Sequence, residues 1–169
     1  MRGTVTAAVS AAALIATVAV APTAHAADRW SLNGPYTATS NGEWARTNDV
    51  FRNEVSIRSI WNISSQCSYP GECTGTVTSD LGWTAPIYAT GGTWYVKHIV
   101  PNWITCPDGT TTVSGFQVFR FIAATPDGAS ADPDSNTLVG EDITTGASGS
   151  CGRSPSLYIT MPFKLIKQG

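Results

Sequence analysis

Apolar and polar side chains alternate in short runs through residues 27 to 169, and Gly, Pro, Asn and Asp separate these runs. Alternation with a period of two turns one face of a strand toward a core and the other toward water. The pattern predicts eight strands, at residues 34–40, 54–63, 73–79, 85–90, 93–100, 111–124, 137–145 and 156–167. After residue 27, no stretch of ten or more residues has helical periodicity, although 41–52 has room for one helical turn.

Three of the predicted strands show which face is apolar. In 54–63, the side chains expected to face the core are Val55, Ile57, Trp61 and Ile63, opposite Ser56, Arg58, Ile60 and Asn62. In 156–167 they are Leu157, Ile159, Met161, Phe163 and Leu165. Residues 115–124 are apolar on both faces, so we expect this strand to be covered on each side.

The links between successive strands are short, which favours an antiparallel meander. Gly91-Gly92 predicts a tight hairpin, residues 106–109 (Cys-Pro-Asp-Gly) predict a turn, and 125–136 is the longest loop. Eight such strands can close into a β-barrel, which leaves no exposed edge, and a two-layer β-sandwich is the alternative. We therefore predict an all-β fold, with the barrel preferred over the sandwich.

The first 26 residues have the pattern of an export signal. Arg2 supplies a positive charge, residues 5–21 are uncharged and mostly Ala, Val, Leu and Ile, and Ala24 and Ala26 satisfy the small-residue rule for cleavage after Ala26. A retained membrane anchor is the alternative, but about 17 mainly Ala and Val residues make a short, weakly apolar span. We predict a cleavable signal peptide at 1–26 and a single β domain at 27–169, secreted or held in the cell envelope.

Charge excludes two classes of partner. The chain has 10 Lys plus Arg and 12 Asp plus Glu, and loss of Arg2 with the leader leaves nine basic residues scattered singly. This distribution builds no patch for nucleic acid or anionic lipid. No later stretch is long and apolar enough to span a bilayer, so no stable membrane insertion is expected after cleavage.

The four cysteines, Cys67, Cys73, Cys106 and Cys151, all follow the predicted cleavage point. An even number in an oxidising compartment predicts two disulfides, for which three pairings are possible. The tight turn expected between Cys67 and Cys73 favours pairing these two and joining Cys106 to Cys151. A zinc site that includes His98 is the alternative, but the chain has no Cys-x-x-Cys and exported thiols usually oxidise.

The residues show no catalytic constellation, so the chain is not expected to be an enzyme. His98 is the one histidine after residue 26, and a lone histidine in a strand is more often packed than catalytic. Glu141 and Asp142 are neighbours on a strand and point to opposite faces, which argues against a glycosidase. Asp132-x-Asp134-x-Asn136 begins like a calcium loop, but Thr137 and Ile143 replace the required Gly and Glu. No cofactor and no metal are predicted.

Several short motifs occur in an order that carries a family resemblance. They are Trp-Ser-Leu-Asn-Gly-Pro-Tyr at 30–36, Gly-Glu-Cys-Thr-Gly-Thr-Val at 71–77, Gly-Gly-Thr-Trp-Tyr-Val at 91–96, Trp-Ile-Thr-Cys-Pro-Asp-Gly at 103–109, Leu-Val-Gly-Glu-Asp at 138–142 and Gly-Ser-Cys-Gly at 149–152. Together they resemble a group of small secreted, four-cysteine proteins of mycobacteria and related actinobacteria that have no assigned function. The Gly-x-aromatic start of an eight-stranded meander also resembles the calycin barrels. The resemblance implies an exported, disulfide-bonded β domain and carries over no catalytic residue.

The chain is rich in tryptophan, with six residues of this type after residue 27. We expect Trp61 and Trp94 in the core, whereas Trp44, Trp83 and Trp103 are near turns and are the candidate ligand-binding residues. Two functions of different classes follow. One is a β-barrel that binds a small apolar or sugar-like ligand, and the other is an extracellular module that binds an envelope or host protein and has no cavity. A hydrolytic enzyme is a distant third.

Overall fold

The computed structural model describes residues 27–152 and 154–169. The predicted signal peptide at 1–26 lies outside these residues. No helix in the described part of the chain is long and apolar enough to cross a membrane. The ten strands are β1 Asn33–Ser40, β2 Arg46–Thr47, β3 Val50–Phe51, β4 Ile57–Tyr69, β5 Glu72–Ser79, β6 Thr84–Thr90, β7 Thr93–Thr105, β8 Thr112–Ala123, β9 Thr137–Gly146 and β10 Tyr158–Lys167.

Eight of the strands form a closed antiparallel β-barrel. From β4 to β10 each strand pairs with the next along the chain, and β1 pairs with both β4 and β10. The closing ladder runs from Tyr36 opposite Lys167 to Ser40 opposite Phe163. Because this ladder joins the first and last strands, the barrel has no free edge along it. The predicted meander and the preference for a barrel over a sandwich are confirmed.

A short element, of which only the β2–β3 hairpin was not predicted, interrupts the meander between β1 and β4. A 3-10 turn at Gly42–Trp44 follows β1, and the Asn41 side chain accepts a hydrogen bond from the Glu43 N–H at its start. The two-residue strands β2 and β3 then form a hairpin, and β2 pairs with the first part of β10. The single helical turn expected within 41–52 is present as this 3-10 turn.

Most strand boundaries agree with the prediction to within about two residues, but two strands are longer than predicted. Strand β4 begins at Ile57 rather than 54, because the Glu54 N–H donates to the Gly42 carbonyl and the Ser56 hydroxyl accepts from the Gly42 N–H. It then continues to Tyr69 through a serine-rich stretch, held by its ladder with β5. Strand β7 continues past Val100 to Thr105 through a register shift.

The inward faces of the strands form one hydrophobic core. Its largest fully buried apolar side chains are Trp61, Trp94, Phe121, Ile87, Leu138, Leu165, Val77 and Val96. Trp61, Ile63, Met161, Phe163 and Leu165 are buried as predicted, whereas Val55, which lies before β4, and Ile57, at its start, are exposed. The expectation that 115–124 is covered on both faces was wrong. Phe116 and Ile122 are 46% and 37% exposed, because the barrel is one layer thick and these side chains lie on its outer surface.

The two ends of the barrel differ. At one end the β6–β7 hairpin turns at Gly91 and Gly92, both with positive φ, as the sequence predicts. The Trp30 ring lies so close to Gly92 that a Cβ there would come within 2.8 Å of it. Trp30 therefore covers this end, which we call the closed end. The opposite end, where β1, β5, β7 and β9 finish, is the open end.

Two disulfides connect the strands, in the pairing that the sequence favours. Cys67–Cys73 joins directly opposed residues of β4 and β5 near the closed end. Cys106–Cys151 joins the β7–β8 turn to the loop between β9 and β10 at the open end. Neither cysteine pair is available for zinc, so the alternative of a cysteine-ligated metal site is wrong.

Candidate functional site: an aromatic cavity at the open end

The barrel interior is not completely filled. A cavity of about 340 Å³ opens at the open end, and we call it the open-end cavity. Its lining residues are Ala38, Ser40, Ile57, Ser59, Trp61, Leu81, Gly82, Trp83, His98, Ile99, Val100, Pro101, Trp103, Gln117, Phe119, Asp142, Thr144, Met161 and Phe163. The lining combines aromatic rings with a smaller set of polar side chains, Ser40, Ser59, Gln117, Asp142 and Thr144.

The floor of the cavity is built around Trp61 on β4. Its ring packs edge to face on Phe119, with 4.8 Å between the ring centroids, and lies against Phe163 at a centroid distance of 5.3 Å. The indole N–H donates to the Ser59 hydroxyl at 3.1 Å, which satisfies the one polar group of this buried side chain. Interlocked rings of this kind have little rotational freedom, so the floor is rigid.

One wall of the cavity is a stack of Trp83 and His98. Their ring centroids are 4.2 Å apart and the planes are tilted by 16°. The Nδ1 atom of His98 lies 3.2 Å from the Ile99 carbonyl oxygen, whereas Nε2 is buried and has no hydrogen-bond partner among residues 27–152 and 154–169. Burial lowers the pKa of His98, and hydrogen bonding of the ring with the Ile99 carbonyl and with the Gln117 side chain partly opposes this shift.

The polar side of the cavity centres on Asp142, which is fully buried on β9. Its carboxylate accepts a hydrogen bond from the Ser40 hydroxyl and another from the Gln117 amide, both at 2.7 Å. Burial raises the pKa of Asp142, and the two hydrogen bonds partly oppose the rise. Ser40 and Gln117 are thereby held in fixed positions beside the cavity.

The pH dependence of stability tests the state of Asp142. Because the folded-state pKa is raised above the ordinary value of 3.8, this group favours folding when protonated. Its contribution is complete below pH 3.8 and is lost as the pH rises through the folded-state pKa. We expect Asp142→Asn to become more stable relative to the natural protein as the pH rises through this window. The measurement is the difference between the urea midpoints of the two proteins, taken once at pH 3.5 and once at pH 7. A constant difference across the window would contradict the assignment.

Trp103 forms the lip of the cavity, near the end of β7. Its ring lies over two glycines, since a Cβ on Gly115 would come within 2.7 Å of it and one on Gly146 within 3.3 Å. An aromatic ring placed over backbone glycines replaces the cross-strand packing that they lack. The Cys106–Cys151 bridge follows three residues later and fixes this lip to the loop after β9.

The structure brings together only part of the predicted site. Trp83 and Trp103 line the open-end cavity, whereas Trp44 is 62% exposed in the 3-10 turn, where its ring meets Phe51 at 6.4 Å. Trp94 is in the core as predicted, and Trp61 is buried in the core but also faces the cavity.

Sequence reasoning missed Ser40, Gln117 and Asp142 as a group. Each is a polar residue at a buried, inward position of its strand, as with Gln117 beside Phe119 and Phe121. A polar residue on the core face was the available signal. What the sequence did not show is that three such residues from β1, β8 and β9 meet.

The polar residues of the cavity are paired with one another in ways that bear on the catalytic arrangements considered from the sequence. Ser40 donates to Asp142 and not to His98, so these residues do not form a nucleophile and base pair. As predicted, Glu141 and Asp142 face opposite sides, and Glu141 pairs with Arg120 on the outer surface at 3.7 Å. The part of the chain that the structure describes has no group of three or more His, Cys, Asp and Glu placed to hold a metal ion. Asp134, in the segment that resembles a calcium loop, is paired with Arg29.

Fold and cavity define the chain as a small disulfide-bonded β-barrel with one closed end and one open end. No protein-family model matches it, and no curated protein matches it. Among solved structures it is similar to the monomer form of the M. tuberculosis PknI sensor domain, with a TM-score of 0.56, 16% sequence identity, and coverage of 82% of this chain and 88% of that chain. At this identity the likeness shows a shared fold.

Proposed function

We propose that this protein is an extracytoplasmic binding module that holds a small, flat, largely apolar ligand in the open-end cavity. The observation that carries the proposal is the cavity itself, because 340 Å³ lies within the range of small-molecule sites and its lining is aromatic with a few polar groups. A barrel that served only as a scaffold would be filled by its own side chains.

The rigidity of the cavity supports this proposal. Trp61 is held by its hydrogen bond to Ser59 and by its contacts with Phe119 and Phe163, and Trp83 is held by His98. A pocket that is formed before binding avoids the entropic cost of ordering its side chains around the ligand. The lining therefore offers a fixed aromatic surface to a planar ligand.

Two further observations support the extracytoplasmic location and the role in recognition that we propose. Two disulfides are expected in an oxidising compartment, in agreement with the predicted signal peptide at 1–26. The PknI domain of the same fold is described as a sensor domain, and a sensor requires a surface or cavity that recognises something. We propose that this chain also acts by recognition, outside the cytoplasm.

A protein-binding module is the second candidate, and one feature favours it. Trp44, Val50, Phe51 and Val55 are 62%, 68%, 61% and 82% exposed around the 3-10 turn and the β2–β3 hairpin. Exposed apolar side chains in one region are common at protein interfaces. The unfilled interior favours the ligand-binding function, because a module without a ligand has no need of an open cavity.

Titration with 1-methylindole, a compact two-ring probe, tests the ligand-binding function. We expect saturable binding to the purified protein, and Trp83→Ala should weaken it about tenfold, because an aromatic contact contributes about 0.5–1.5 kcal/mol beyond area burial and 1.4 kcal/mol is tenfold. Trp44→Ala is the matched control, since it removes the same side chain from a site outside the cavity, and it should leave the dissociation constant unchanged.

Two outcomes would overturn the ligand-binding function. One is the absence of saturable binding by the natural protein. The other is a loss of binding on Trp44→Ala with none on Trp83→Ala, which would place the apolar binding surface at the 3-10 turn and favour the protein-binding module. Circular dichroism of each variant confirms that the barrel is folded before it is titrated.

A further inference from the structure

We propose that a second cavity, beside the Cys106–Cys151 bridge, extends the open-end cavity and holds an alkyl chain attached to the flat ring of the ligand. The inference rests on the proposed function and adds the chemical class of the ligand, a planar ring that carries an aliphatic chain.

The second cavity, which we call the bridge cavity, has a volume of about 210 Å³. Its apolar side chains are Ile104, Pro107, Val113, Ala147 and Leu157. A glycine, two hydroxyl side chains and Cys151 of the bridge complete the described part of the lining. The lining among residues 27–152 and 154–169 is therefore neutral and aliphatic, and a hydrocarbon chain buried there gains free energy by leaving water.

Strand alternation places both cavities on the inner face of the barrel. On β9, Thr144 lines the open-end cavity and Gly146, two residues further, lines the bridge cavity. On β8, Gln117 lines the open-end cavity and Val113, four residues away, lines the bridge cavity. Residues two or four positions apart on a strand share a face. The bridge cavity is therefore a continuation of the open-end cavity along the strands.

The Trp103 ring lies between the two cavities. Trp103 lines the open-end cavity, and the next residue, Ile104, lines the bridge cavity. A Cβ on Gly146 would come within 3.3 Å of the Trp103 ring, so the ring reaches the strand position that lines the bridge cavity. A register shift between β7 and β8, from Val100 to Ile104, places these residues at the boundary. A chain that leaves the open-end cavity would cross the Trp103 ring to enter the bridge cavity.

The chemical class of the ligand follows from the two linings together. The open-end cavity presents the rings of Trp61, Trp83 and Phe119, which suit a flat ring, whereas the bridge cavity presents aliphatic side chains. Thr144 and Gly146 are separated by about 7 Å along β9, since a strand rises about 3.4 Å per residue. A chain of a few carbon atoms spans this step, so a planar ring with a short alkyl substituent occupies both cavities.

The matched probes 1-methylindole and 1-butylindole test this class, because they share a ring system and differ only in the length of the alkyl chain. Burial of one CH₂ group raises affinity about fourfold. We therefore expect the natural protein to bind 1-butylindole at least about tenfold more tightly than 1-methylindole, as measured by calorimetric titration.

The variant Val113→Phe tests where the chain binds. Its larger side chain would fill the bridge cavity, so it should reduce the advantage of 1-butylindole to about twofold or less and leave 1-methylindole binding within about twofold. Ser114→Phe is the matched control, since Ser114 is the next residue of β8, is exposed and points to the opposite face. This control should keep the full advantage of 1-butylindole.

A measurement on the natural protein covers the case in which Val113→Phe does not fold. In a two-dimensional carbon-proton spectrum, 1-butylindole should shift the methyl signals of Val113 and Leu157 along a saturable curve, because both side chains line the bridge cavity. The shorter probe, 1-methylindole, should leave these signals in place.

The outcomes separate the two proposals. If neither probe binds, the proposed function fails, and this inference fails with it. Three results would overturn only this inference while 1-methylindole still binds: equal affinity for the two probes, the full advantage of 1-butylindole in Val113→Phe, or methyl signals of Val113 and Leu157 that do not respond to 1-butylindole.

Discussion

Replacing both Cys106 and Cys151 with serine is expected to lower the free energy of unfolding by about 4 kcal/mol, because the bridge closes the larger of the two loops in the unfolded chain. The two cysteines are separated by 45 positions in the sequence, and loop closure of this length removes much of the entropy of the denatured state. Chemical denaturation of the purified double variant, with the Cys67–Cys73 bridge intact, measures this loss.

The other disulfide is the internal control. Cys67 and Cys73 are only 6 positions apart, so the same model gives about 2.4 kcal/mol for their removal. A larger loss for Cys67→Ser with Cys73→Ser than for the long bridge would contradict the expectation. Because Cys106–Cys151 fixes the lip that carries Trp103, its removal should also weaken 1-methylindole binding. Removal of Cys67–Cys73, which lies near the closed end, should leave that binding unchanged.

Replacing Trp61 with alanine is expected to destabilise the barrel by about 3–5 kcal/mol, the range for truncation of large buried aromatic side chains. Trp61 is 1% exposed and its ring contacts Phe119, Phe163 and Trp83. Its removal would leave Ser59 without a partner and join an internal void to the open-end cavity.

Urea denaturation of Trp61→Ala alongside Trp44→Ala measures this effect against a control. Trp44 is 62% exposed, and surface substitutions usually change stability by about 0.5 kcal/mol or less. Similar losses for the two variants would show that Trp61 is not a central packing residue. A ligand-sized probe that bound Trp61→Ala more tightly than the natural protein would show that the void is open to the cavity.

Alternation was sufficient to predict the barrel strands because each strand has one face in the core and one in water. Strand β10 is the clearest case, with Met161, Phe163 and Leu165 buried between exposed neighbours. The extension of β4 from Ser64 to Tyr69 was not predicted, since it is mostly polar and is stabilised by backbone pairing with β5. Backbone hydrogen bonds leave no trace in the pattern of side chains.

The candidate site was only partly predictable for a related reason. Proximity to turns identified Trp83 and Trp103, but Trp44 is also near a turn and lies outside the cavity. All three residues are near the open end, where β1, β5 and β7 finish, and Trp44 differs because its ring packs against Phe51 of the exposed β2–β3 hairpin. The polar group of the site depends instead on closure of the barrel between β1 and β10. The same closure brings Ser40 to Asp142, residues 102 positions apart in the sequence.

The indole N–H signals of the six tryptophans give the most direct test of the central claim, that the open-end cavity binds a small ligand. In a two-dimensional nitrogen-proton spectrum, with signals assigned from single Trp→Phe variants, 1-methylindole should shift the signals of Trp61, Trp83 and Trp103 along one saturable curve. The signals of Trp30, Trp44 and Trp94, which do not line the cavity, should stay in place. Saturable shifts confined to Trp44, or shifts of all six signals without saturation, would contradict the account.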